Sequence, residues 1–164
     1  MIRSRRATSR GSGRDLEPID PDLPPQRGAA PLGPFSFVNL ALVGVGGALG
    51  TLARYACAVT WPTPSDGFPT TILIVNLSGA FLIGVTLSVL VRIGRADRPR
   101  LFSCVGVLGG WTTMSTAAVS ADLLIAHGHA LLGLGYLALS LLGGAVATGL
   151  GIALAHHVVN EARA

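Results

Sequence analysis

The sequence predicts an all-α integral membrane protein with four transmembrane helices. Half of the 164 residues are hydrophobic, only 12% are charged, and the mean hydropathy is +0.60. A soluble domain of this length would carry roughly a quarter charged residues. Four apolar runs are each long enough for a helix to cross the hydrocarbon core, which takes ~20 residues. Each run is apolar on every face rather than along one stripe, which favours a membrane protein over a soluble helical bundle.

Residues 1–34 precede the apolar part and are typical of a disordered cytoplasmic tail. They contain six prolines and six arginines but few apolar residues. Such a segment cannot bury enough surface to offset the entropy lost on ordering. The predicted division is therefore a tail over 1–34 and a four-helix transmembrane unit over 35–164.

The transmembrane unit consists of four apolar runs joined by short connections. The runs cover about residues 37–60, 70–91, 101–126 and 130–155. Short connections predict that neighbouring helices run up and down. Glycines spaced by four, Gly46 with Gly50 and Gly106 with Gly110, let helix backbones approach closely in lipid, where no hydrophobic force drives helices together.

The third run contains a segment that is a poor continuous helix. Residues 109–116 read GGWTTMST, in which two glycines precede four hydroxyl side chains within five positions. In a membrane, unwound backbone survives only where protein buries it or where it lines a polar cavity. We therefore expect the third helix to break near its middle, leaving carbonyl groups free to bind a cation.

The placement of arginine predicts the orientation of the chain. There are twelve arginines and no lysine, and eleven arginines lie in the tail, the second connection or the C-terminus. The positive-inside rule places these segments in the cytoplasm, so both termini of this multi-pass protein of the cell membrane are predicted inside. Only six arginines fall in the last 130 residues, too few for a nucleic-acid-binding surface.

No catalytic constellation emerges, so no enzymatic activity is predicted. His127 with His129, and His156 with His157, are either interfacial histidines or part of a metal site, although no cluster of cysteines or carboxylates accompanies them. Arg54 lies near the outer end of the first run. Its guanidinium either snorkels to the interface or contributes positive potential to an anion vestibule.

Three segments resemble the Fluc/CrcB family of fluoride channels in order and spacing. They are residues 46–55 (GGALGTLARY), residues 75–81 (VNLSGAF) and residues 109–116. The resemblance implies a four-helix subunit of an antiparallel dimer that lowers cytoplasmic fluoride by passive export. It also implies a structural Na⁺ at the dimer centre, not transported, held by the backbone carbonyls of Gly109 and Thr112.

The resemblance also places Asn76, Tyr136 and Ser140 along an anion path. Fluoride is small and tightly hydrated, so a pore must replace its water with close hydrogen-bond donors. The hydroxyl groups of Ser115 and Thr116 are further donors of this kind.

Five positions depart from the pattern of the family. A threonine, two phenylalanines, a glutamate and a serine are expected there, and this chain has Ile72, Met114 with Ala117, Ser120 and Gly144, respectively. The sodium motif is therefore intact, whereas the anion path has lost several of its groups.

The arginine bias and the altered path together predict an antiparallel heterodimer with a second Fluc-like subunit. An antiparallel homodimer, which is the alternative, needs one sequence to insert in both orientations, and eleven arginines on one side oppose that. Two other functions stay open: a non-conducting structural or assembly partner, and a small four-helix drug/proton antiporter. The antiporter is disfavoured because residues 37–60 lack the acidic side chain that would couple protons.

Overall fold

Helices make up all the regular structure in the described part of the chain. The computed structural model describes residues 36–64, 67–92, 94 and 97–161, so the predicted tail over 1–34 lies outside it. Three helices are long: α1 (Phe37–Thr60), α2 (Thr70–Arg92) and α6 (Ala130–Glu161). The third apolar run forms a series of shorter helices between α2 and α6.

The third run is helical on both sides of an extended dipeptide. Its first half comprises α3 (Arg98–Arg100), the π-helical segment π1 (Leu101–Leu108) and α4 (Gly109–Trp111). Thr112 and Thr113 then adopt extended backbone angles, with ψ values of 153° and 119°. The second half is α5 (Met114–Ala126). The run starts at Arg98, earlier than its apolar pattern begins, and α6 likewise continues past Ala155 to Glu161.

The surface of the long helices suits hydrocarbon rather than water. By length and composition, α1, α2 and α6 are apolar enough to cross a membrane, whereas the third run is divided into pieces that are too short to qualify. Large apolar side chains point outward along these helices, including Phe37 and Leu131, which is 89% exposed. The chain is therefore a multi-pass membrane protein, since such a surface needs lipid or another protein chain around it.

The first half of the third run packs backbone to backbone against α1. A Cβ atom added to Gly46 would lie 2.6 Å from the Phe102 carbonyl oxygen and 3.0 Å from the Gly106 Cα. A Cβ atom on Gly110 would overlap the Gly47 carbonyl. The glycines thus stay helical and provide contact surface, so the break occurs after them, at Thr112.

Gly46→Ala is expected to destabilise the protein by about 2 kcal/mol, the usual range for overpacking a tight contact. The methyl group would press on backbone atoms, which cannot rotate away. Gly44→Ala on the same helix is the matched control, because nothing lies within 4 Å of its added Cβ and alanine favours helix. Unfolding in detergent measures both variants. Equal stability of the two would contradict the close contact.

The second packing unit joins α2 to α6, and α5 lies against α6. Gly84 on α2 approaches the Thr148 carbonyl of α6, and Gly151 on α6 approaches the Phe81 carbonyl of α2. At the far ends of these helices, Arg92 Nη1 donates to Asn160 Oδ1 at 2.9 Å. The tight pairing therefore extends along the second half of α2.

Candidate functional site at the interrupted helix

Asn76 on α2 forms hydrogen bonds to the backbone groups that are left without helical partners where the third run is interrupted. Its Nδ2 donates to the Thr113 carbonyl at 2.9 Å, and its Oδ1 accepts the Thr113 N–H at 2.8 Å. This pair of bonds imitates a neighbouring β-strand and satisfies both polar groups of one extended residue. In a continuous helix the Thr113 N–H would bond to the Gly109 carbonyl. The Gly109 carbonyl therefore loses its usual helical donor.

Hydroxyl groups then restart the helix as α5. Thr113 Oγ1 accepts the backbone N–H of Thr116 at 3.2 Å, which makes Thr113 the N-cap of α5. The same hydroxyl lies 3.0 Å from Thr116 Oγ1 and 3.2 Å from Ser115 Oγ. The predicted donors Ser115 and Thr116 thus belong to the cap of the half-helix, and α5 presents its positive dipole end to the interruption.

A glycine on α2 leaves room for the interruption. A Cβ atom on Gly79 would overlap the methyl group of Thr112 and lie 2.9 Å from Trp111 Cδ1. The Trp111 indole is held next to it by an Nε1–H that donates to Ser78 Oγ at 3.1 Å. Asn76, Ser78 and Gly79 together therefore fix the position of the last helical residue and of the first extended one.

Arg54 contacts the same region from α1. Its Nε donates to the Gly110 carbonyl at 3.2 Å, and Thr51 Oγ1 lies 3.4 Å from the same oxygen. Gly110 is in the last turn of the first half-helix, where the dipole is negative and a cation is stabilising. Arg54 is thus half-buried against the interrupted helix rather than extended into solvent.

A groove of about 340 Å³ lies beside the extended dipeptide. Polar side chains from three segments line it: Asn76 of α2, Thr112 and Thr113 of the dipeptide, and Ser140 and Thr148 of α6. The apolar and small residues of its wall are Ala80, Ile83, Met114, Leu141 and Gly144. The structure therefore brings Asn76, Ser140 and two altered positions, Met114 and Gly144, to one groove.

The ring of Tyr136, which the sequence places on the same path, packs in an apolar cluster. Its side chain is fully buried against Ile72, Leu73, Ala117 and Ala121. Phe68 packs on its ring edge-to-face at 5.6 Å. Two of the altered positions, Ile72 and Ala117, thus form the immediate surroundings of Tyr136. The hydroxyl group of Tyr136 lies next to the Ser140 side chain, one turn further along α6, although the two hydroxyls do not form a hydrogen bond of good geometry.

The histidines do not gather into a metal site within the described residues, where no cluster of three potential metal-binding side chains occurs. His127 Nδ1 lies 2.7 Å from the Leu123 carbonyl. His156 Nδ1 lies 2.6 Å from Arg92 Nη2, and His157 is 3.6 Å from Glu161 Oε1. Each of these three therefore contacts a neighbouring group at a helix end. His129 is exposed and Ser120 is half-buried. Neither residue lines the groove.

Sequence reasoning missed Thr148 and the double pairing of Asn76. Thr148 lies eight residues after Ser140, so the i, i+4, i+8 spacing on α6 was available as a signal. The pairing of Asn76 with Thr113 depends on the relative position of two helices far apart in sequence, and no local pattern reports it.

These features define a class: a helical membrane protein with an interrupted helix and a polar groove beside the interruption. Comparison with known proteins identifies the family. Residues 41–152 match the family described as "CrcB-like protein, Camphor Resistance (CrcB)". The chain belongs to the CrcB family.

Named relatives are similar over the same region. "Fluoride-specific ion channel FluC 3" of Streptomyces avermitilis is 46% identical over 116 residues, which are 70% of this chain and 57% of the relative. "Fluoride-specific ion channel FluC 2" of the same organism is 47% identical over 62% of this chain and 65% of the relative. In both, the match spans less than two thirds of the relative's length. "Fluoride-specific ion channel FluC" of Rhizobium meliloti is 37% identical over 74% of this chain and 98% of the relative.

Proposed function

We propose that this chain is a subunit of a fluoride-specific ion channel that lowers cytoplasmic fluoride by passive export. The observation that carries the proposal is the groove beside the interrupted helix, lined by the Asn76 amide and the Ser140 hydroxyl. Neutral donors of this kind can replace the water around a small anion without trapping it as a fixed positive charge would. The relatives named as fluoride-specific ion channels support the choice of anion.

Asn76 can serve the anion path while it holds the backbone. An asparagine amide has two N–H donors, and only one of them is used on the Thr113 carbonyl. The second N–H is available on the side chain that lines the groove. The amide is also fixed by two bonds to Thr113, so this donor needs little reorganisation to meet an anion.

The interruption fits a structural Na⁺ held by the Gly109 and Thr112 carbonyls. Gly109 lacks its usual helical donor, because the Thr113 N–H bonds to Asn76. Thr112 has an extended backbone, so its carbonyl does not continue the helical ladder. Unwound carbonyls of this type are hard oxygen ligands that suit Na⁺. Gly109 is exposed on the isolated chain, so a second subunit would have to cover the ion.

The partner in this proposal is a second CrcB-family chain that inserts in the opposite orientation. Four crossings with both termini in the cytoplasm put eleven of twelve arginines on one side, which fixes this chain in one orientation. Two numbered FluC proteins in Streptomyces avermitilis support the idea of paired chains. The partner would contribute the phenylalanine and threonine positions that are altered here.

A non-conducting assembly subunit is the second candidate. The apolar cluster of Ile72, Ala117 and Tyr136 favours it, because Ile72 and Ala117 have no hydrogen-bond donor in their side chains to offer an anion along this stretch of the expected path. In that case the partner chain would supply the whole conducting path, and this chain would supply the structural half of the dimer.

Fluoride efflux from liposomes separates these functions. We expect little efflux with this chain alone. We expect rapid, chloride-excluding efflux when it is reconstituted with a CrcB-family chain whose arginine distribution favours the opposite orientation. If Ser140→Ala abolishes efflux by that pair, the conducting path runs through this chain. If efflux is unchanged, the assembly role is favoured. Rapid efflux by this chain alone, with its termini on both sides, would overturn the heterodimer. No efflux in any pairing would overturn the channel function.

Removal of sodium tests the cation site. Exchange of Na⁺ for N-methyl-D-glucamine is expected to lower the unfolding temperature of the dimer by several degrees, since a bound ion stabilises only the folded state. Thr112→Ser should keep the full sodium dependence, because the proposed ligand is the backbone carbonyl. Identical unfolding curves in the two buffers would exclude the site.

A further inference from the structure

We propose that Arg92 and His156, where α2 and α6 reach the membrane surface, form a binding site for the phosphate headgroup of an anionic phospholipid. The arginine bridges the two helices through neutral groups. Its Nη1 donates to Asn160 Oδ1 at 2.9 Å, and its Nη2 lies 2.6 Å from His156 Nδ1. The inference concerns lipid binding and does not depend on the proposed channel function.

The polar groups that Arg92 and His156 have left for a ligand are all donors. An arginine side chain can only donate, so the contact requires His156 Nδ1 to accept and the ring proton to be on Nε2. A guanidinium group has five N–H donors, and the two bonds use only two of them. The imidazole is exposed, so its Nε2–H can reach a ligand from outside. Such a pair suits an anion with several acceptor oxygens and repels a cation.

Within the described residues, no carboxylate neutralises the charge of Arg92. Glu161 is 3.6 Å from His157 Nδ1, on its own helix, and neither it nor Asp97 forms an ion pair with the guanidinium. The C-terminal end of α2 is negative but amounts to only about half an elementary charge. The half-buried arginine therefore keeps net positive charge, which a monovalent phosphodiester would complete.

The depth of the pair favours a lipid over a soluble anion. Arg92 is the last residue of the 23-residue helix α2, and ~20 residues cross the hydrocarbon core. Helix α6 has 32 residues, so its last turns, with His156, extend through the headgroup layer. Just below the pair, Val91 and Ile152 are 60% and 41% exposed. Phosphate and acyl chain thus meet donors and apolar side chains at matching depths, as in other basic headgroup sites between membrane helices.

The test is unfolding of the full-length chain in a neutral detergent, titrated with phosphatidylglycerol, phosphatidylcholine or inorganic phosphate. Phosphatidylglycerol should raise the unfolding temperature by several degrees, because it binds only the folded state, and the other two additives should not. Arg92→Gln should weaken phosphatidylglycerol about tenfold or more, the effect of losing a hydrogen bond to a charged group. Arg98→Gln is the matched control, since it removes the same charge from an exposed position of α3 at the same surface.

The outcomes separate a site from general attraction to a basic surface. Equal weakening in Arg92→Gln and Arg98→Gln would overturn the inference, as would equal stabilisation by the two lipids. Stabilisation by inorganic phosphate as strong as that by phosphatidylglycerol would show a site for a soluble anion and overturn the lipid assignment. If Arg92→Gln does not fold, retention of phosphatidylglycerol in native mass spectrometry compares His156→Leu with His157→Leu. Lower retention in His156→Leu alone supports the site, and equal retention contradicts it.

Discussion

Asn76→Leu is expected to abolish fluoride efflux and to lower the stability of the chain by about 2–6 kcal/mol. Leucine has a similar size but cannot replace the two bonds to Thr113. It would leave a partly buried backbone N–H and C=O without their side-chain partner, and each unsatisfied group costs about 1–3 kcal/mol. Unfolding in detergent measures the first effect on the chain, and efflux from liposomes that contain this chain together with its conducting partner measures the second.

Asn76→Asp separates the donor from the acceptor. Aspartate keeps an oxygen for the Thr113 N–H but places its second oxygen against the Thr113 carbonyl, so efflux should be lost here as well. Asn160→Asp is the control, since Asn160 is an exposed amide bonded to Arg92 at the end of α6. A leucine variant as stable as the wild type would show that the Thr113 backbone finds other partners, and the role given to Asn76 would then be wrong.

Gly79→Ala is expected to displace the interruption and reduce efflux by at least tenfold. The added methyl group would overlap the Thr112 side chain and press on the Trp111 ring. The ring is tied to Ser78, so it cannot move aside without losing a hydrogen bond. The extended dipeptide must therefore shift, and a shift of 1 Å is enough to disturb the Asn76 pairing and the carbonyls proposed to bind Na⁺.

Gly149→Ala is the control for this prediction, because it adds a methyl group to an α6 glycine with nothing within 4 Å. Sodium dependence of unfolding is a second readout for Gly79→Ala, and we expect it to weaken. Full efflux and full sodium dependence in Gly79→Ala would show that the interruption tolerates the added volume.

The long helices and the presence of a break could be predicted from local sequence. Continuous apolar runs over 37–60 and 70–91 define helices of the observed lengths, since period and hydropathy are local properties. The glycine-rich and hydroxyl-rich segment predicted an interruption, but its position depended on packing. Gly110 remained helical because it faces α1, and the chain left the helix only where Asn76 could pair with Thr113.

The candidate site was less accessible to sequence reasoning than the fold. Residue type identified Asn76 and Ser140 as donors, and both line the groove. Residue type also suggested Tyr136, Ser115 and Thr116. Whether a hydroxyl group caps a helix, packs in an apolar cluster or lines an anion path depends, however, on the residues around it. Tyr136 packs on Ile72 and Ala117, which are distant in sequence, so its surroundings emerge only from the packing of three helices.

The extended dipeptide at Thr112 and Thr113 also bears on how the protein enters the membrane. Neither half of the third run is long enough to be inserted as an independent spanning helix, which needs ~20 residues. The first half depends on α1 for packing, and the second half depends on α6, which is synthesised later. The Asn76 amide must already be in place to receive the exposed Thr113 backbone. The interruption therefore forms only together with α1, α2 and α6, and we expect mutations in α2 to appear as biogenesis defects as well as transport defects.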